Sequence, residues 1–182
     1  MLQTQTQPLF PDSRLLLSAG TLVKASFTER VRAARQAGFD AISLFPQQYL
    51  AARRKEKLSL GDMREILAEH EVGLDEVDPL LDWFGPEAST SESLMMEMAE
   101  GLGARSINVA TAFVSDSSFE EICNCFGRVC ERVAGYGLRA DLEFLPWTGV
   151  GSLTSALNIL AAVNQPNAGV MFDLWHFFNF VR

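Results

Sequence analysis

Positive charge is scarce in this chain. Its 182 residues hold 15 Lys and Arg against 23 Asp and Glu, a formal charge of −8 with a pI of about 4.8. So acidic a chain is repelled by phosphate backbones, which excludes general nucleic-acid binding. Long apolar runs are missing too. None approaches the roughly 18 residues that cross a bilayer, so no membrane partner is expected. The opening stretch MLQTQTQPLFPDSR has neither a basic nor an apolar region, and no secretory signal is visible. Cysteine is limited to Cys123, Cys125 and Cys130, an odd set without zinc spacing. These thiols fit half-buried small hydrophobes in a reducing cytoplasm. Glycine is sparse where a dinucleotide would need it: Ser18-Ala-Gly-Thr-Leu-Val lacks the pattern that lets a pyrophosphate approach the backbone.

Apolar material for a core is present. Hydrophobic side chains make up 48% of the chain, with 13 Phe, and residues 1–182 are expected to form one domain. Short apolar or β-branched runs recur at Leu15–Leu17, Ala41–Phe45, Leu74–Val77, Ser106–Ala110, Arg139–Phe144 and Gly169–Leu174. Helical spacing separates them. Phe27, Val31 and Ala34 share one face, as do Met63, Ile66, Leu67 and His70. So do Leu94, Met95, Met98 and Leu102, then Ile122, Phe126, Val129 and Val133, and last Leu153, Ala156, Leu157 and Leu160.

The punctuation agrees. Ser26-Phe-Thr-Glu29, Ser89-Thr-Ser-Glu92 and Ser118-Phe-Glu-Glu121 read as capping boxes. Gly38, Gly73, Gly103 and Gly137 follow the first four helices, where a left-handed residue is needed. Strands therefore start about 26 to 33 residues apart, the period of a βα unit. Such alternation implies a parallel sheet, with functional groups just beyond the strand C-termini. A closed (β/α)8 barrel needs about 250 residues; six units fit here. Phe178-Asn-Phe-Val-Arg182 is expected to break the rhythm, with neither cap nor turn.

Two carboxylates fall at equivalent strand ends. The fifth strand reads Ala140-Asp-Leu-Glu-Phe-Leu-Pro-Trp147 and the sixth Gly169-Val-Met-Phe-Asp-Leu-Trp-His176. Glu143 and Asp173 would repel each other unless a cation or a proton lies between them. A hard divalent metal suits oxygen ligands, and one imidazole shifts the preference toward Mn2+, Co2+ or Zn2+ over Mg2+. His176 reads as a ligand or as a donor to a substrate oxygen. Each carboxylate has the alternative of capping the next helix.

Leu142-Glu143-Phe-Leu-Pro, followed by Phe172-Asp173-Leu-Trp-His176, resembles the sugar phosphate isomerase/epimerase superfamily of xylose-isomerase-like TIM barrels. Gly38-Phe-Asp-Ala-Ile-Ser-Leu and Leu102-Gly-Ala-Arg-Ser-Ile-Asn-Val are similar to that group's turns into strands two and four. The resemblance implies an α/β xylose-isomerase-like (β/α)8 barrel with about six βα units in this sequence. It also implies an enzyme whose metal is held by Glu143 and Asp173, with His176 touching substrate. The family's ligands on strands seven and eight have no counterpart in the 182 residues. Ser43 and Phe45 stand where the family often has an acidic residue.

The chemistry implied is isomerisation or epimerisation of a sugar, sugar phosphate or polyol through a metal-stabilised enediolate, with Glu143 as a base. A dehydratase of inosose or 3-dehydroshikimate type is the alternative on the same fold. So is a non-catalytic or half-site subunit that completes its barrel as a homo-oligomer. Trp147 and Trp175 lie on the same rim and are candidates for stacking on substrate, with Phe113 after strand four. Arg53-Arg-Lys-Glu-Lys57 is expected in a solvated loop, His70 as a packing or helix-end residue, and Met95, Met96 and Met98 as helix packing.

Overall fold

Strands and helices alternate as the periodicity requires. The computed structural model describes residues 14–111 and 117–180. The order is β1 (Leu16–Leu17), α1 (Phe27–Gln36), β2 (Ala41–Leu44), α2 (Pro46–Arg54), α3 (Leu60–Glu69), β3 (Gly73–Leu80), α4 (Thr90–Leu102), β4 (Ser106–Ala110), α5 (Phe119–Ala134), β5 (Arg139–Glu143), α6 (Leu153–Val163), β6 (Ala168–Met171) and α7 (Leu174–Phe180). The strands form one sheet in sequential order, and every neighbouring pair is parallel.

The two faces of the sheet differ in chemistry. Ile107, Val109, Ala140 and Leu142 are buried in a core shared with Met95 and Met98 of α4 and with Ile122, Phe126 and Val129 of α5. Each buried chain of this size contributes about 1.5–3 kcal/mol. Because the strand period is two, Asn108, Asp141 and Glu143 face the other way. That face curls around a cleft of about 590 Å³ lined by Leu16 and Ser18 beside β1 and by Met171–Trp175 beside β6. The first and last strands of the sheet therefore flank one cleft. No helix among the described residues is long and apolar enough to cross a membrane.

Several local expectations change. Ser26 and Glu29 make the full reciprocal box. Ser89 and Ser118 cap α4 and α5 through the amides of Glu92 and Glu121. The Glu92 carboxylate instead turns to Arg132, across to α5, at 2.7 Å. Gly38, Gly103 and Gly137 are left-handed, but at α3 that conformation falls on Glu71. Gly73 opens β3, where an added Cβ would lie 2.8 Å from the Arg14 guanidinium.

The stretch after β2 is α2, not a loop, so Arg53 and Arg54 are helical. No Ser or Thr announces this helix; Pro46 at its first turn is the signal. Gln48 Oε1 accepts from the Phe45 amide at 3.1 Å in place of a Ser or Thr cap. The sixth strand ends at Met171, and α7 carries helix through Phe180, where a break in the rhythm was expected. Asp173 supplies the missing cap: its Oδ1 accepts from the His176 amide at 2.9 Å.

Candidate active site at the strand ends

Glu143 is the last residue of β5, in register with Ala110 of β4 and Met171 of β6. Asp173 lies two residues beyond β6, and its cap places His176 one turn into α7. His176 Nε2 stands 3.6 Å from Glu143 Oε1 and 3.8 Å from Asp173 Oδ2. One ligand atom from each of the three lies within 4.8 Å of the others. Asp173 thus serves both readings of a strand-end carboxylate, capping with one oxygen and facing the cluster with the other.

The tryptophans meet this imidazole. Trp147 and Trp175 approach the His176 ring edge-on, with centroids at 5.1 and 5.2 Å. Both remain exposed, at 42% and 58%, and Trp175 lines the cleft. Phe113 lies outside the described residues. His70 closes the C-terminal end of α3. Cys125 and Cys130 are buried, Cys123 is half-buried and all three thiols are free. Ser43 is fully buried and accepts from the Ala19 amide at 2.8 Å. It fixes the turn after β1 instead of supplying a carboxylate.

Three further polar residues join the site. Glu76 and Asp78 of β3 and Asn108 of β4 line the same cleft as Glu143 and Asp173. Asn108 Nδ2 donates to Asp78 Oδ1 at 2.8 Å and to Glu143 Oε2 at 2.9 Å. One amide therefore spans two carboxylates and leaves Glu143 Oε1 toward His176. The sequence carried a faint signal for these residues. Asn108 is polar among Ile107, Val109 and Ala110, and Glu76 and Asp78 sit two apart in a strand.

Burial and crowding push three of these carboxyls above the ordinary carboxylate range. Glu76 is pushed up to about 8, chiefly by burial and then by Asp78, Asp141, Glu143 and Asp75. Asp78 is raised by burial against the opposing hydrogen bond from Asn108. Glu143 is raised by burial, with Asn108 and His176 pulling down and Asp78 and Asp173 pushing up. A concentration of negative charge beside two oxygen donors and one imidazole fits a divalent cation. Nε2 of His176 is the nitrogen that faces the two carboxylates, while its Nδ1 is buried without a hydrogen-bond partner.

Asn108→Leu is expected to release both carboxylates from their shared donor. Divalent-cation affinity should fall by about 10–100-fold, as for lost outer hydrogen bonds to metal ligands. Isothermal titration calorimetry on chelator-treated protein measures this, and an unchanged affinity would exclude the bridging role.

A sequential parallel sheet, with helices in alternation and a carboxylate–imidazole cluster beyond β5 and β6, defines a βα-barrel protein with its site at the strand C-termini. The chain belongs to the xylose isomerase-like TIM barrel family, whose model matches residues 31–181. It is 27% identical over 173 residues to an inosose isomerase of Bacillus velezensis, covering 87% of this chain and 61% of that one. The crystal structure of an IOLI protein with a binding zinc atom is similar in fold, with a TM-score of 0.79 at 20% identity, covering 93% of this chain and 66% of that one. A probable 3-DHS dehydratase, AsbF of Bacillus anthracis, gives a TM-score of 0.70 at 20% identity, with coverages of 91% and 65%. The chain thus spans less than two thirds of the length of these relatives.

Proposed function

We propose that this chain carries the β1–β6 portion of a divalent-metal-dependent isomerase or epimerase acting on a sugar, sugar phosphate or polyol. Glu143 and Asp173 hold the metal, and His176 completes the donor set or contacts a substrate oxygen. The observation that carries this reading is the convergence of Glu143, Asp173 and His176 within 4.8 Å. The zinc of the IOLI protein and the activity named for the inosose isomerase support it.

Bound there, a divalent cation supplies Lewis-acid polarisation of adjacent substrate oxygens. The chain's own groups do the rest. Glu143, its Oε2 held by Asn108, takes a proton from the carbon beside a carbonyl. His176 orients an oxygen through Nε2, its ring held between Trp147 and Trp175. The two tryptophans add apolar surface beside the imidazole.

A dehydratase reading is favoured by one observation. Glu76, pushed up to about 8, keeps its proton at neutral pH and suits protonation of a leaving hydroxyl. The half-site reading draws on the exposed Phe172, Leu174, Trp175 and Phe178 beside β6, an apolar face that a second copy would cover.

The test is calorimetric titration of Mn2+ or Zn2+ into chelator-treated protein. Glu143→Gln should weaken binding by about 100-fold. Binding to the parent should tighten as pH rises, because Glu143 is held above the usual carboxylate range and must lose its proton to coordinate. No cation binding, or binding indifferent to Glu143→Gln, would refute the reading.

A further inference from the structure

We propose that the β3–β4 wall of the cleft, made by Glu76, Asp78 and Asn108, is a second subsite that takes the hydroxyl face of an uncharged polyhydroxylated ligand and turns phosphorylated ones away. It rests on the preceding reading of the cleft and narrows its substrate class. None of the three belongs to the Glu143, Asp173 and His176 donor set.

Asn108 is the first observation. It is 4% exposed, and its Nδ2 is committed to Asp78 and Glu143. Its Oδ1 is buried with no hydrogen-bond partner, although the residue lines the cleft. A buried amide oxygen without a donor is costly, and native proteins rarely leave one so. The missing group is a donor, which a phosphate or carboxylate oxygen cannot be and a hydroxyl is.

Glu76 is the second. No hydrogen bond to its carboxyl is made among the described residues, and it faces the same cleft. Its carboxyl oxygens are open to accept from a ligand hydroxyl and, when protonated, to donate to one. Asp78 spends Oδ1 on Asn108 and adds acceptor capacity beside it.

Charge supplies the selectivity. Four carboxyl groups, Glu76, Asp78, Glu143 and Asp173, line the cleft, and no Lys or Arg lines it among the described residues. The Arg53–Lys57 cluster does not reach it: Arg53 donates to the Leu58 carbonyl and Lys55 lines a separate cavity between α1 and α2. A single divalent cation on Glu143 and Asp173 leaves Asp78 uncompensated. An anionic ligand then meets like charge in a partly desolvated cleft.

Calorimetric titration of the Mn2+-loaded protein with D-fructose and with D-fructose 6-phosphate tests this. The free sugar should bind at least about tenfold more tightly than its phosphate ester. Glu76→Gln combined with Asp78→Asn should bring the two within about threefold when each protein is compared at saturating cation. Glu76→Gln alone repeats the comparison in a protein expected to be more stable. Equal or tighter binding of the phosphate overturns the proposal, as does a preference unchanged in both variants. Absence of binding by both sugars to cation-loaded protein also overturns it. Failure of the metal-site reading is separate, appearing as loss of the Mn2+ isotherm itself.

Discussion

Glu76→Gln is expected to stabilise the metal-free protein by on the order of 3–5 kcal/mol at alkaline pH and by almost nothing in acid. The folded chain raises Glu76 from an ordinary 4.5 to about 8, so across that window it binds a proton that the unfolded chain has released. More protons on the native state means that stability falls as pH rises. The loss begins as pH passes the ordinary carboxylate value and is complete above the shifted one. Gln is uncharged at every pH and removes Glu76's share of the loss. Asp78 and Glu143 are raised as well and add a decline of the same sign in both proteins. Thermal melts in chelator across the pH range measure the difference. A gap between parent and variant that is flat or widens toward acid would refute it. Divalent cation should flatten the parent's profile, because charge at Glu143 and Asp173 lowers the cost of ionising their neighbours.

Arg132→Met is expected to destabilise the fold by about 3 kcal/mol. Glu92 is 1% exposed, and Arg132 reaches it with two guanidinium nitrogens, one at 2.7 Å. Removing the cation strands a carboxylate inside the α4–α5 contact, and uncompensated buried charge is what makes such variants costly. Replacing both residues by Met should recover most of the loss, because a well-packed apolar pair has no charge to desolvate. Urea denaturation of the single and double variants separates the two costs. A single variant within about 0.5 kcal/mol of the parent would show the pair to be solvated. Both helices contribute to the core behind β4 and β5, the strands that carry Asn108 and Glu143. The single variant should therefore weaken cation binding as well, while the double variant restores it.

Legibility in the sequence followed the range of the signal. Ser26 and Glu29 are three residues apart, and their box formed as read. Ser89-Thr-Ser-Glu92 has the same spelling, yet its carboxylate left for Arg132 on another helix, a competitor that local spacing cannot display. Helix α2 was missed because Phe45 and Gln48 cap it without a Ser or Thr. Glu143, Asp173 and His176 were singled out by strand-end position and a family resemblance, and the structure brings the three together. Their approach in space depends on the cap at Asp173 that starts α7.

The sequence by itself determined the βα rhythm, the parallel sheet that rhythm demands, and the strand ends where chemistry collects. Periodicity and caps act over a few residues, so they are written where they act. Only the tertiary structure decided that Glu76, Asp78 and Asn108 share a cleft with Glu143. Asn108 and Glu143 are 35 positions apart, and parallel register together with the curl of the sheet brings them to one hydrogen bond. The abundance of acid with which the chain began thus becomes specific. Part of it is gathered in one cleft on the inner face of the sheet, where burial raises the pKa values of Glu76, Asp78 and Glu143.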